Sequence, residues 1–309
     1  MIRRLGLMAG LVAALVASSA HAAPAPPDLA ARLATINRST VWTPAGTIAV
    51  QFPTFHPQGM VRIGPDFFVS AVEIKRLPAP LPKTPGGPDR DAGTGVGHLF
   101  RISADGVLLA DLVLGEGDAY HPGGIDYDGK SIWVPVAEYR PDSRAIVYRV
   151  DPRTMTAVEV LRVADHIGAV VHDPETGRLH GVSWGSRRFY DWDLTRRGRP
   201  SKPQVFDNRA NYIDYQDCHI LGGRQMLCSG LASYRSSAKA PAFSLGGWEI
   251  VDLTDHRPVW QAPIQLWTPA GRAMTQNPAF VEATPTGLHA YFMPDDNRST
   301  IFVYDTVVP

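Results

Sequence analysis

Three histidines hold the chemistry this sequence could perform: His56, His121 and His166, in "HPQG", "HPGG" and "HIGA". Each stands at the head of a short run that reads as a strand, not inside a compact local metal motif. A neutral imidazole can act as a general base near neutral pH, or as a ligand to zinc, manganese or iron. Brought to one place, the three could hold a divalent metal with an open coordination position, or supply a base without one. A structural use is equally open to them, since an imidazole can bridge backbone groups of neighbouring sheets, and the Pro and Gly that follow can shape the start of a strand.

Other polar residues recur around the same points of the repeat. Gln216 and Asp217 in "YQDC", and Gln276 and Asn277 in "TQNP", stand where the histidines stand in other units. The strands that follow end in Glu73 with Lys75 and Arg76, Glu138 with Arg140, Arg187 with Arg188, Arg235, and Asp295 and Asp296 with Arg298. Guanidinium groups grip carboxylates through paired N–H donors, so these arginines, Arg140 and Arg188 foremost, are expected to orient an anionic small ligand such as an acidic sugar or a hydroxy-acid lactone. Tyr139, Trp184, Tyr215, Tyr234 and Trp248 either stack on such a ring or fill space between sheets. "GVSWGS" lacks the G-x-S-x-G order, which disfavours a serine esterase. His172, His180, His256 and His289 lie elsewhere in the strands and are expected to be structural.

What must position these residues is an all-β scaffold. Beyond residue 38 helical periodicity is nearly absent, and short runs rich in Val, Ile, Phe, Tyr and Trp alternate with Gly, Pro and Asp turns. The runs repeat. First strands begin near positions 56, 121, 166, 215 and 276, a unit of about 45–50 residues with two insertions, within the range of propeller blades. Second strands such as "SIWVPVAEYR", third strands closing on Asp such as "IFVYDT", and fourth strands such as "GVLLADLVL" follow in order. Only four fourth strands are found; "GTIAVQF" would supply the fifth by pairing beside the C-terminal strand. The expectation is a β-propeller of five four-stranded blades closed by an N-terminal strand, with six blades as the alternative.

In such a ring the first strands lie nearest the axis, and the loops between second and third strands share one end with the histidines. Both insertions, residues 77–97 and 235–247, fall on that end, while the opposite turns are short. Long loops usually cover or form a site, so function is expected there, at the channel mouth, beneath a lid made of both excursions.

Composition bounds the rest. With 309 residues, 44% hydrophobic, 19% charged and no net charge, the chain should be globular, and it lacks the basic face that nucleic-acid binding needs. The run Arg196, Arg197, Arg199 and Lys202 is expected to be a solvated turn. Arg3 and Arg4, an apolar stretch to Ala17 and then Ala20-His21-Ala22 read as an export signal over residues 1–22. A lead over residues 23–45 with a short helix and a single propeller domain over 46–309 follow. The mature protein is expected to be a periplasmic or secreted monomer with no membrane span. In such a compartment Cys218 and Cys228, flanking a Gly222-Gly223-Arg224 turn, would form a disulfide.

With these motifs in view the chain resembles a family of exported bacterial propeller proteins of unassigned function. In architecture alone it is similar to lactonase and arylesterase-like propellers and to five-bladed glycosidases. It has histidines where the former carry acidic and asparagine calcium ligands, and it offers only Asp126, Asp217 and Glu282 toward the carboxylates of the latter. Histidine-ringed metal sites resemble those of some propeller lyases and oxygenases. The reading is hydrolase or lyase chemistry on the histidine ring; the competing one is a non-catalytic module that captures a sugar, peptide or cell-wall fragment.

Overall fold

The computed structural model describes residues 28–82, 84–85, 87–195 and 200–307. Residues 1–22, expected to be an export signal, and the arginines at 196, 197 and 199 lie outside the described residues.

Each sequence unit becomes an antiparallel sheet, and five such sheets form the ring. Blade 1 comprises His56–Ile63, Asp66–Arg76, Thr94–Ile102 and Leu108–Leu114. In blade 2 the innermost strand is broken into Ala119–Pro122 and Asp126–Tyr127, followed by Ile132–Glu138, Ala145–Asp151 and Thr156–Val163. Blade 3 runs Ile167–Asp173, Arg178–Ser183, Arg188–Asp193 and Gln204–Asp207. Blade 4 runs Asp214–Gly222, Gln225–Tyr234, Phe243–Asp252 and Arg257–Ile264. Blade 5 takes Ala279–Ala283, Gly287–Phe292 and Thr300–Val307 from the C-terminal part of the chain and Thr43–Ala49 from the N-terminal part. Ile48 pairs with Ile301 in that seam, so the closing strand anticipated from "GTIAVQF" is present and the ring has five blades, not six.

Position in the blade decides burial. Second strands are covered on both faces by neighbouring blades, so Phe67, Phe68, Val69, Ala71 and Val72 are all buried in an unbroken run. Fourth strands face solvent on one side, and Leu108–Leu114 accordingly alternates in exposure. The lead segment joins the same core: the helix Leu29–Leu33, capped by Asp28 accepting from the Ala31 amide at 3.2 Å, buries Leu33 and Ile36 among Trp248, Ile264 and Phe292 of blades 4 and 5.

The glycines of the histidine motifs serve the axis. A Cβ on Gly59 would lie 2.4 Å from the Ile125 nitrogen, and one on Gly123 would lie 2.0 Å from the Gly168 oxygen. Only a residue without a side chain lets inner strands approach so closely. The approach is held by Gly124 donating to the Gly168 carbonyl at 2.8 Å and by Ser70 Oγ donating to the Gly123 carbonyl at 2.6 Å.

Asp217, assigned to ligand binding from the sequence, is instead a tie at the axis. It is fully buried, and its two oxygens accept the backbone amides of Met60 at 2.8 Å and Ile125 at 3.0 Å, so one carboxylate of blade 4 binds the inner strands of blades 1 and 2. Asp126 of blade 2 accepts the Ile220 amide of blade 4 at 3.2 Å, and His219 Nε2 donates to the Ala279 carbonyl of blade 5 at 3.0 Å. Burial raises the Asp217 carboxyl to about 7. For His219 burial acts against the charge, but the carboxylates of Asp217 and Asp126 outweigh it and lift the imidazole to about 9. Glu282 takes no part in the channel mouth; it accepts from Arg62 at 3.1 Å and from the Tyr291 hydroxyl at 3.2 Å.

Cys218 and Cys228 are direct partners across their hairpin and are joined by a disulfide, with the turn made by Gly222, Gly223 and Arg224, all at positive φ.

Candidate functional site

The three histidines meet where the ring geometry requires. His56, His121 and His166 line one cavity of about 450 Å³ at the channel mouth, together with Gln58, Tyr139, Ser183, Trp184, Asp214, Tyr215, Gln216, Gln276 and Asn277. The His121 ring lies 6.3 Å from that of His56 and 6.2 Å from that of His166, centroid to centroid.

Their surroundings differ, and the differences set their chemistry. His56, at the first position of blade 1, shares a hydrogen bond of 2.8 Å between Nδ1 and Asp296 Oδ1. The same Asp296 oxygen accepts from Asn277 Nδ2 at 3.0 Å. Burial pushes the Asp296 carboxyl up, yet the His56 and Asn277 hydrogen bonds prevail and hold it below the usual range. A carboxylate on Nδ1 fixes the tautomer that leaves Nε2 as the acceptor, the arrangement of a general base. His166 is pinned differently: its Nδ1 donates to the Glu138 carbonyl at 2.8 Å, and its amide donates to Asp165 at 2.8 Å. Burial lowers His166 to about 4, so it is neutral at physiological pH.

His121 is the unusual member. It is 6% exposed, and neither ring nitrogen has a hydrogen-bond partner among the described residues. Its face stacks on Tyr139 with centroids 4.2 Å apart. Burial, then the neighbouring His166 and His56, hold it well below the ordinary histidine value. A buried polar group without a partner costs about 1–3 kcal/mol, so an unpaired imidazole on a cavity wall marks a position where a ligand would supply the missing bond.

The aromatic wall continues from Tyr139 to Trp184, whose centroids lie 5.9 Å apart, and Trp184 meets the edge of His166 at 4.8 Å. Of the two insertions only one reaches this rim. In residues 77–97, Arg90 sets its guanidinium 5.6 Å from the Trp184 centroid, and Asp91 braces the loop by accepting the Ala79 and Gly93 amides, each at 2.9 Å. Residues 235–247 leave the second strand of blade 4 after Tyr234 and enter the third at Phe243, both exposed, and contribute nothing to the cavity wall. The two-part lid is therefore a one-part rim.

The charged residues read as ligand-binding from the sequence are engaged with one another. Arg140 is within 2.6 Å of Glu138, whose fully buried carboxylate also takes Arg144 at 2.7 Å. Arg188 bridges Asp142 at 2.6 Å and Asp165 at 3.0 Å. Arg235 and Arg298 are exposed and do not line the cavity. For Arg140 the partner is two residues away on the same strand end; for Arg188 it comes from the neighbouring blade. Glu73 pairs with Lys75 and lies on an adjoining cleft of about 520 Å³, which shares His56 and Tyr139 with the mouth and also includes Asp296. Gln216, Gln276 and Asn277 do line the mouth; Gln276 donates to the Pro294 carbonyl at 2.9 Å.

Sequence reasoning missed two features. Gln58 and Asp214 also line the mouth. In blade 4 the register, with Asp214 opposite Leu231 and Tyr215 opposite Gly230, puts Asp214 at the place that His56 holds opposite Val72 in blade 1. The second feature is a donor cluster elsewhere. Among the described residues the one set of three or more His, Cys, Asp or Glu side chains whose donor atoms all lie within 4.8 Å of one another is His180, Asp191 and His256, between blades 3 and 4. The three histidines of the mouth share a cavity without forming such a set.

Fold and site together define a five-bladed β-propeller with a histidine-ringed channel mouth. The chain belongs to a family of unknown function (DUF6454), whose model matches residues 14–309. No curated protein matches it. Similar solved structures include a luciferin-regenerating enzyme, 8% identical over 85% of this chain and 96% of that one, with a TM-score of 0.46. A tail fiber of Staphylococcus aureus phage P68 is 8% identical over 87% and 53% of the two chains, with a TM-score of 0.46. A nidogen/laminin complex is 12% identical over 67% of this chain and 63% of that one, with a TM-score of 0.40. The chain thus spans less than two thirds of the latter two. Likeness at this level says nothing about activity. No helix among the described residues is long and apolar enough to cross a membrane.

Proposed function

We propose that the channel mouth binds a small lactone-like ring and opens it with water, His56 acting as general base. One observation carries this reading: the His56–Asp296 pair at 2.8 Å stands on the wall of the cavity in which His121 has two buried, unpartnered ring nitrogens.

In this reaction the water oxygen bonds to the ring carbonyl carbon while His56 Nε2 takes its proton. Collapse of the tetrahedral intermediate breaks the ring C–O bond, and His56 returns the proton to the departing alkoxide, leaving a hydroxy acid. Asp296 keeps the imidazole in the required tautomer and balances its charge when protonated. His121, neutral through burial, offers an N–H to the carbonyl oxygen as negative charge develops there. Tyr139 and Trp184 supply a flat wall for the ring.

An uncharged lactone is favoured over an acidic sugar because, among the described residues, no lysine or arginine lines the mouth. The same fact favours hydrolysis over elimination beside a carboxylate, which needs a cation to neutralise the substrate. Export by the N-terminal segment fits the Cys218–Cys228 disulfide, since such bonds persist in oxidising compartments.

The test is proton release on incubation with five- and six-membered lactones. One proton per turnover supports the proposal; absence of both ring opening and saturable binding overturns it. Binding without proton release would favour the second reading, a non-catalytic module for a sugar, peptide or cell-wall fragment. That reading draws on the adjoining cleft through His56 and Tyr139, which could seat a longer ligand.

A further inference from the structure

We propose that His180, Asp191 and His256 form a binding site for one divalent transition metal of the zinc class, clamping blade 3 to blade 4 far from the reactions of the channel mouth.

The donors come from separate elements. His180 and Asp191 are paired residues on the second and third strands of blade 3. His256 lies in the turn between the third and fourth strands of blade 4, on the face opposite the mouth. All three side chains are at least nine-tenths buried. Asp191 Oδ1 meets His180 Nδ1 at 2.6 Å and His256 Nε2 at 3.0 Å. Two imidazoles and a carboxylate are the mixed N/O donors that suit zinc, and tetrahedral coordination at about 2.0–2.2 Å sets donor atoms about 3.3–3.6 Å apart, so an ion would draw both imidazoles outward from Asp191 by up to about 1 Å.

Two further observations bear on uptake of an ion. His180 Nε2 and His256 Nδ1 are buried with no hydrogen-bond partner among the described residues, so only the bonds to Asp191 have to be exchanged for an ion to take the facing nitrogens, His180 Nδ1 and His256 Nε2. Asp191 also borders a cleft of about 340 Å³ lined by Arg178, Asp193, Ser201, Lys202 and Gln204, which gives an ion a route in and a water room to complete its shell. Arg178 approaches the other carboxylate oxygen, Oδ2, at 3.7 Å and so leaves Oδ1 to the imidazoles. His256 adopts a left-handed backbone conformation, φ 58°, and its ring is wedged against Phe206 at 4.2 Å, both of which hold the imidazole across the blade boundary. Bound there, the ion would replace the protons shared with Asp191 and join two blades through three ligands.

The experiment uses the full chain without a histidine tag, freed of metal with a chelator, then titrated with zinc by calorimetry and with cobalt(II) by visible absorption. The expected result is one equivalent bound, a tetrahedral cobalt spectrum and a higher melting temperature. His256→Gln retains a donor toward Asp191 and should keep the fold while weakening zinc at least tenfold; His180→Asn should do the same if the first variant melts too early to read. His121→Ala should leave uptake unchanged. No uptake by the wild type, wild-type affinity in both His256→Gln and His180→Asn, or loss of uptake in His121→Ala would each overturn the proposal.

Discussion

His56 and Asp296 meet across the boundary between blade 1 and blade 5, one at the first position of an inner strand and the other in the loop after a second strand, 2.8 Å apart. The pair exists because the ring closes, and it places an oriented imidazole beside an unpaired one. Asp296→Asn should preserve the fold, since the amide still reaches His56, but it cannot balance an imidazolium. Lactone turnover is expected to fall by about two orders of magnitude in kcat with little change in KM, measured by steady-state kinetics.

Acid should loosen the mouth. His166 titrates near 4 in the folded chain, against about 6.5 when unfolded. The unfolded chain therefore takes up the proton first: stability is complete above about 6.5 and declines as pH falls toward 4. His166 alone contributes a loss of about 3 kcal/mol, and His121 shifts in the same direction. Urea unfolding at pH 7, 5.5 and 4.5 should show the decline, and His166→Asn should flatten it.

Asp217→Ala should be among the most damaging single changes. It strands the buried amides of Met60 and Ile125 and leaves His219 without its closest carboxylate, 3.5 Å away. A loss of about 3–5 kcal/mol is expected, read as a lower midpoint in denaturant.

Gly59→Ala tests the close approach at the axis. The new methyl group would stand 2.4 Å from the Ile125 nitrogen and 2.8 Å from the Gly124 Cα, against backbone that cannot rotate away. Destabilisation of about 2–3 kcal/mol is expected, with Gly46→Ala, where nothing lies within 4 Å, as the comparison.

Much of this was legible in the chain because propeller geometry follows from repetition. Strand runs at regular intervals give the blades, and the place of each histidine in its unit gives the mouth. What the repeat could not give was partnership. Arg140 and Arg188 looked available because a sequence does not reveal that Glu138, Asp142 and Asp165 lie closer than any ligand. Asp217 looked like a mouth residue because the bulge after Tyr215, which turns it to the axis and leaves Asp214 at the rim, shows only in the register. His180 and His256 are buried as the sequence suggested, but their shared contact through Asp191 joins segments far apart in the chain and could not be read from it.

The most direct measurement is the turnover of a lactone by His56→Gln against wild type at neutral pH, with binding followed separately. Loss of about 100-fold or more in kcat, with affinity retained within a few-fold, is the predicted result. Ring opening at the wild-type rate by the glutamine variant would contradict the assignment of His56 as the base.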